Sequence, residues 1–168
     1  GHWGTMRRLA ENPPHVLTQA ERLAAESFVA DQEARFAVAR SRIIRTGDEL
    51  SFVCDGVLEY GDVSDFCGLI LDRDDNPPQV AAVAAKRMGG DWAVSLRSRE
   101  GLAGRGMSLL KDGRKVRGGG HGDASALYFP SNYTEMQIKD SLLAAIRVQI
   151  EKEASPKVTL GDLFKGLA

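Results

Sequence analysis

The sequence predicts a single α/β domain in which a mixed β-sheet is flanked by helices, with long helices towards both ends of the chain. Three observations lead there. Two long segments carry apolar residues at helical spacing, several short apolar runs lie between them, and 168 residues suit one hydrophobic core. Hydrophobic residues at 43% and charged residues at 27% are the balance of a globular chain, not of a disordered or membrane one. No apolar run approaches the ~20 residues of a membrane span and no signal-peptide pattern opens the chain, so a cytoplasmic protein without membrane contact is expected.

Residues 1–17, opening with GHWGTM, read as a cloning remnant and leader. Residues 18–153 form the expected domain and 154–168 a tail with a last helical turn. The first long helix begins at Thr18, where Thr18 and Glu21 have capping-box spacing. Ala25, Phe28, Gln32, Phe36, Ala39 and Ile43 then follow at three- and four-residue steps, and Gly47 is the expected stop. ELSFVC and GVLEY read as two strands of a hairpin turning at Asp55-Gly56, while SDFCGLIL fits either a short helix or a buried strand.

After Pro77-Pro78, QVAAVAAKRM and DWAVSLRS read as strands joined across Gly89-Gly90-Asp91. In the second, Trp92, Val94 and Leu96 share one face and Ala93, Ser95 and Arg97 the other. AGRGMSLLKDG suggests a helix and DASALY a helical turn. The last long helix starts at a second capping-box spacing, Thr134 and Gln137, and carries Ile138, Leu142, Ala145, Ile146 and Ile150 on one stripe.

The net charge of −1 conceals an uneven distribution. Asp48 to Asp75 holds nine acids against one base, whereas Lys86 to Arg117 holds nine bases against three acids. The basic stretch ends in Gly118, Gly119 and Gly120, followed by His121. Consecutive glycines forgo side-chain packing and cost backbone entropy when ordered. A bare backbone of this kind lets N–H groups crowd an anion, and it is also the composition of a plain surface loop. SLRSREG places Ser95 and Arg97 at a strand end, where arginine can grip a phosphate bidentately.

Other chemistries find little support. Two cysteines, Cys54 and Cys67, both in apolar contexts, make no disulfide framework and no four-cysteine zinc site. Asp72, Asp74 and Asp75 have carboxylates but no nearby histidine, and read as a solvated turn. No G-x-S-x-G elbow, Walker loop or dinucleotide fingerprint occurs. No residue set for catalysis or for metal binding is therefore assigned to this chain.

WAVSLRS, a gap of roughly twenty residues, then GGGHGDASAL resembles the C-terminal DHH-associated domain of DHH-family phosphoesterases. That family includes RecJ-type exonucleases, oligoribonucleases, cyclic-dinucleotide phosphodiesterases and exopolyphosphatase-like proteins. The resemblance runs from about Thr18 to Phe129. It implies a substrate-binding domain covalently linked to a catalytic domain that holds manganese, so no cofactor is expected in this chain itself. It also implies phosphate recognition by Arg97, Ser95, Gly118, Gly119, Gly120 and His121, with a phosphorylated small molecule or short single-stranded nucleic acid as the partner. Two positions depart from the family pattern: Ala124, Ser125, Ala126 and Leu127 stand where an Ala-Ala-Gly segment is usual, and Arg117 where many members have a fourth glycine. The alternative reading is an oligomerisation or tRNA-contact module, like the similar C-terminal domain of alanyl-tRNA synthetases. In that case the acidic stretch of one copy would meet the basic stretch of another in a homodimer.

Overall fold

The structure is a computed structural model and describes residues 7, 10, 11, 18–105, 116–155 and 160–165. Helix α1 (Gln19–Arg40) opens with the expected reciprocal cap: the Glu21 N–H donates to Thr18 Oγ1 at 3.2 Å and the Thr18 N–H to Glu21 Oε2 at 2.8 Å. It buries Ala25, Gln32, Phe36 and Ala39. The helix stops seven residues before Gly47, because Ser41 closes it by donating its hydroxyl to the Val38 carbonyl at 2.7 Å. The chain between them forms β1 (Ile44–Thr46), an antiparallel edge strand on β2 (Leu50–Cys54), and Gly47 at φ 54° makes the turn.

GVLEY is not a strand. Asp55 ends β2 by accepting the Val57 N–H at 2.8 Å on its carboxylate and the Leu58 N–H at 3.0 Å on its carbonyl, which turns the chain out of the sheet. A 3₁₀ turn (Tyr60–Asp62) then leads into α2 (Val63–Arg73), which settles SDFCGLIL as helix. Val63, Phe66, Cys67, Ile70 and Leu71 form its buried stripe. The reason is topological. β2 and β3 (Val80–Lys86) are parallel neighbours, and parallel strands need a crossover that a two-residue hairpin cannot supply.

β3 and β4 (Trp92–Ser98) form the expected hairpin, with Gly90 at φ 87°. β4 pairs with β6 (Ala124–Phe129), and β6 with the outer strand β5 (Arg117–His121). The sheet order is β1-β2-β3-β4-β6-β5. DASALY is thus strand, not a helical turn: Ser125, Leu127 and Phe129 are buried while Ala124, Ala126 and Tyr128 are half-buried, an alternation with the period of a strand. The glycine run is likewise an edge strand, not a loop. Of AGRGMSLLKDG, residues 103–105 are helical, continuing from Leu102, and 106–113 lie outside the described residues.

Helix α3 (Glu135–Ala154) has its predicted cap at Thr134 and Gln137, and α4 (Leu160–Lys165) supplies the expected final turn. α3 packs Ile138, Leu142 and Ile146 against Phe52, Val94, Leu96 and Leu127 on one face of the sheet. α1 and α2 cover the other face over β2 and β3, with Phe36 and Phe66 at 4.8 Å between ring centroids among Val53, Ala81 and Val83. Asp62, 0% exposed, joins these two helices by accepting from Arg35 Nε at 2.8 Å and Nη2 at 3.0 Å.

Two predictions follow from the packing. Asp62→Asn removes the carboxylate from a buried pair and should cost about 3 kcal/mol, seen as a Tm lower by roughly 6–12 °C. A Tm within 2 °C of the parent would show that the pair does not hold α1 to α2. The glycines of β5 should respond unequally. A Cβ on Gly120 would lie 2.5 Å from the Ala124 carbonyl oxygen, and one on Gly118, at φ 143°, 2.1 Å from the Ala126 oxygen, whereas one on Gly119 meets nothing within 4 Å. Alanine at 118 or 120 should therefore destabilise by about 1–3 kcal/mol, and alanine at 119 should change stability by less than about 1 kcal/mol. Equal loss at all three positions in thermal melts would contradict this division.

Candidate functional site

The helices α1 and α2 cover only part of their face of the sheet. Beyond α2, strands β4, β6 and β5 present an open floor, and a cleft of about 640 Å³ lies between that floor and the start of α2. The floor consists of small residues, Ala93 and Ser95 from β4, Ala124 and Ala126 from β6, and Gly119 from β5. Tyr60, Gly61, Val63 and Ser64 line the opposing side.

Strand register explains which residues meet. Arg97 pairs with Ala124, and Ala124 with His121, so these three form one cross-strand row. Ser95, Ala126 and Gly119 form the next row, and Ala93, Tyr128 and Arg117 the one after. Because side chains alternate between faces, Arg97, Ser95 and Gly119 reach the same cleft from three positions of the sequence. Gly118 and Gly120 belong to the other alternation and serve the close approach of β5 to β6. His121 sits in the Arg97 row by backbone pairing.

The two sequence motifs are also tied together directly. The turn after β5 has Gly122 at φ 60°, and Asp123 follows it. Ser98 N–H donates to the Asp123 carbonyl at 2.9 Å and Gly101 N–H to Asp123 Oδ1 at 2.6 Å. These bonds hold the end of β4 against the end of β5.

Arg97 donates from Nη2 to Ser64 Oγ at 2.9 Å, while its buried Nε has no hydrogen-bond partner. A buried guanidinium N–H without an acceptor is costly unless a ligand supplies one. Ser64 stands in the first turn of α2, whose N-cap residue Asp62 makes no side-chain cap because its carboxylate is committed to Arg35 and to the Glu59 N–H at 2.9 Å. Gly61, Val63 and Ser64 bring the start of α2 to the edge of the cleft. At the opposite end, Tyr128 and Tyr60 bring their hydroxyls to 3.5 Å.

Sequence reasoning missed Ser64, Tyr60 and Tyr128. Tyr60 and Tyr128 stood in segments read as a strand and a helical turn, and Ser64 in the ambiguous one. No local signal marks them, because only the crossover places α2 over β4. Several charges of the two stretches are paired within the chain. Asp62 pairs with Arg35, Asp55 with Arg42 at 2.5 Å, and Asp74 with Arg45 at 3.3 Å. In the basic stretch, Arg87 pairs with Asp91, Arg99 donates to the Leu71 carbonyl at 2.7 Å and Arg105 pairs with Glu153. Lys111, Arg114 and Lys115 lie outside the described residues.

The cleft offers donors and small apolar groups, and among the described residues no three His, Cys, Asp or Glu side chains converge as metal ligands would. Burial pushes both thiols, Cys67 and the half-buried Cys54, up to about 12, so neither is a thiolate nucleophile near neutral pH. Among the described residues no helix is long and apolar enough to cross a membrane.

No family model matches the sequence, and no curated protein matches it. Solved structures do. The Mg2+ complex of RecJ from Thermus thermophilus aligns at a TM-score of 0.55 with 17% identity over 77% of this chain and 20% of the RecJ chain. PggH of Vibrio cholerae, a pGpG-specific phosphodiesterase, aligns at 0.49 with 13% identity over 88% of this chain and 52% of that one. The C-Ala domain of Aquifex aeolicus alanyl-tRNA synthetase aligns at 0.43 with 15% identity over 66% of this chain and 96% of that domain. This chain thus spans about a fifth of RecJ and shares its fold there.

Proposed function

We propose that this chain is the substrate-binding domain of a DHH-family phosphoesterase and that its cleft takes a phosphate group of a nucleotide or short single-stranded nucleic acid. One observation carries the reading: Arg97 holds a buried, unpartnered Nε over a glycine and alanine floor, next to Ser64 in the first turn of α2. A phosphate oxygen supplies the acceptor that Nε lacks, and its charge is favoured by the guanidinium. Gly119 and Ala126 leave the backbone bare enough for such a group to approach. His121, at the end of the Arg97 row, is a second donor in this reading, with its backbone placed by the pairing to Ala124.

The role is binding rather than bond cleavage. Metal ions and the attacking water belong, on this reading, to a linked catalytic domain, and the cleft orients the phosphate towards it. The fold shared with one fifth of RecJ supports a part played within a larger protein.

Titration of a 5′-phosphorylated dinucleotide into the full chain tests the proposal. Binding should weaken steeply as salt rises, since phosphate neutralisation by arginine releases counterions. Arg97→Ala should lower affinity about 10- to 100-fold, the effect of a lost hydrogen bond to a charged group. Gly119→Val should abolish binding while leaving the Tm nearly unchanged, since its Cβ enters open space in the cleft. Affinity unchanged by Arg97→Ala would overturn the proposal. Salt-dependent self-association in sedimentation, without ligand binding, would favour the interaction-module reading instead.

A further inference from the structure

We propose that Tyr60 and Tyr128 form a ring-stacking subsite that restricts the cleft to phosphorylated ligands carrying a planar base and excludes base-free phosphates such as linear polyphosphate. The inference rests on the reading that Arg97 takes the phosphate, and it deepens that reading by naming what stands at the other end of the cleft.

Position comes first. Tyr128 pairs with Ala93 and Ala124 with Arg97, so the aromatic row and the arginine row are four residues apart along the same strands. At ~3.4 Å per residue that is about 14 Å. A lone phosphate cannot touch both ends, whereas a nucleotide or dinucleotide can. Between the rows the floor is Ala126 and Gly119, with no side chain large enough to stack on a base, so the middle of the cleft suits a sugar and the far end the ring.

Tyr128 is also held in place before any ligand arrives. The Arg87 guanidinium lies over its ring at 4.6 Å from the centroid. Arg87 is itself fastened to Asp91 by bonds of 3.1 and 2.5 Å, so its charge is matched and it acts as a clamp on the ring. One face of the ring is thus taken by Arg87, and the residue itself lines the cleft. Tyr60, 52% exposed, lines the cleft from the 3₁₀ turn that precedes α2, and its hydroxyl stands 3.5 Å from that of Tyr128. A ring already ordered loses little entropy when a base stacks on it. A structural role alone, two tyrosines touching through their hydroxyls, does not account for an exposed Tyr60 ring lining a cleft whose other end holds a guanidinium N–H without an acceptor.

The experiment compares two probes on the full chain, 5′-phosphorylated diadenosine and tripolyphosphate, by titration at one salt concentration. The parent should bind the dinucleotide at least tenfold more tightly. Tyr128→Leu and Tyr60→Leu should each weaken the dinucleotide about tenfold and leave tripolyphosphate unchanged, whereas Tyr128→Phe, which keeps the ring, should retain dinucleotide binding. Arg97→Ala should weaken both probes. Melting curves on each variant separate lost stacking from lost folding. If both leucine variants fold and bind the dinucleotide as the parent does, or weaken both probes equally, the stacking subsite is wrong while the phosphate reading stands. If Arg97→Ala changes neither probe, the phosphate reading fails and the subsite with it.

Discussion

Asp62 has no contact with solvent, and the way its charge is satisfied sets the position of the cleft's rim. A buried carboxylate is tolerable only when paired and hydrogen-bonded, and here both arginine nitrogens and a backbone N–H converge on it. The consequence is geometric. Arg35 draws the 3₁₀ turn against α1, so α2 starts at one defined point above β4 with Ser64 and Tyr60 on the cleft side. Asp62 also accepts the Glu59 N–H, one half of the capping box that closes the 3₁₀ turn leading into α2. One ion pair thus joins two helices and fixes where the second begins.

The sheet contributes through what it lacks. Over β2 and β3 the side chains facing α1 and α2 are Val53, Ala81, Val83 and Ala85, filled in by Phe36, Phe66 and Ile70. Beyond α2, over β6, β5 and the neighbouring part of β4, no described helix supplies such side chains, and the residues there are Ala93, Ala126 and Gly119. Small residues on an uncovered sheet face create volume instead of core. The glycine run divides accordingly: Gly118 and Gly120 let β5 lie close to β6, and Gly119 keeps the floor low. A single stretch of three glycines meets two separate physical demands on its two faces.

Charge is handled locally, despite its uneven distribution along the chain. Acids of the first half find arginines on α1 and in the segment after it, and bases of the second half find carbonyls and carboxylates close by. Arg97 differs from these in that its Nη2 meets a neutral hydroxyl while its buried Nε has no hydrogen-bond partner. An arginine whose nearest partner is serine keeps its field for a ligand, whereas Arg87 with Asp91 does not. This contrast, more than the net charge of the stretch, is what marks one end of the cleft for phosphate.

By itself the sequence determined the two long helices, the β3-β4 hairpin and the face that Arg97 shares with Ser95, because helical spacing, capping residues and strand alternation are properties of neighbouring residues. It also marked the motifs, since serine, arginine and consecutive glycines are visible without coordinates. Only the tertiary structure decided that GVLEY leaves the sheet, that DASALY is a strand and that the glycines form its edge partner. Alanine and serine are compatible with either state locally, and the β4-β6 pairing at the next position in the sheet is what selects one. Ser64, Tyr60 and Tyr128 joined Arg97 for the same reason. Their proximity arises from a parallel crossover and a buried ion pair, and neither leaves a pattern among adjacent residues.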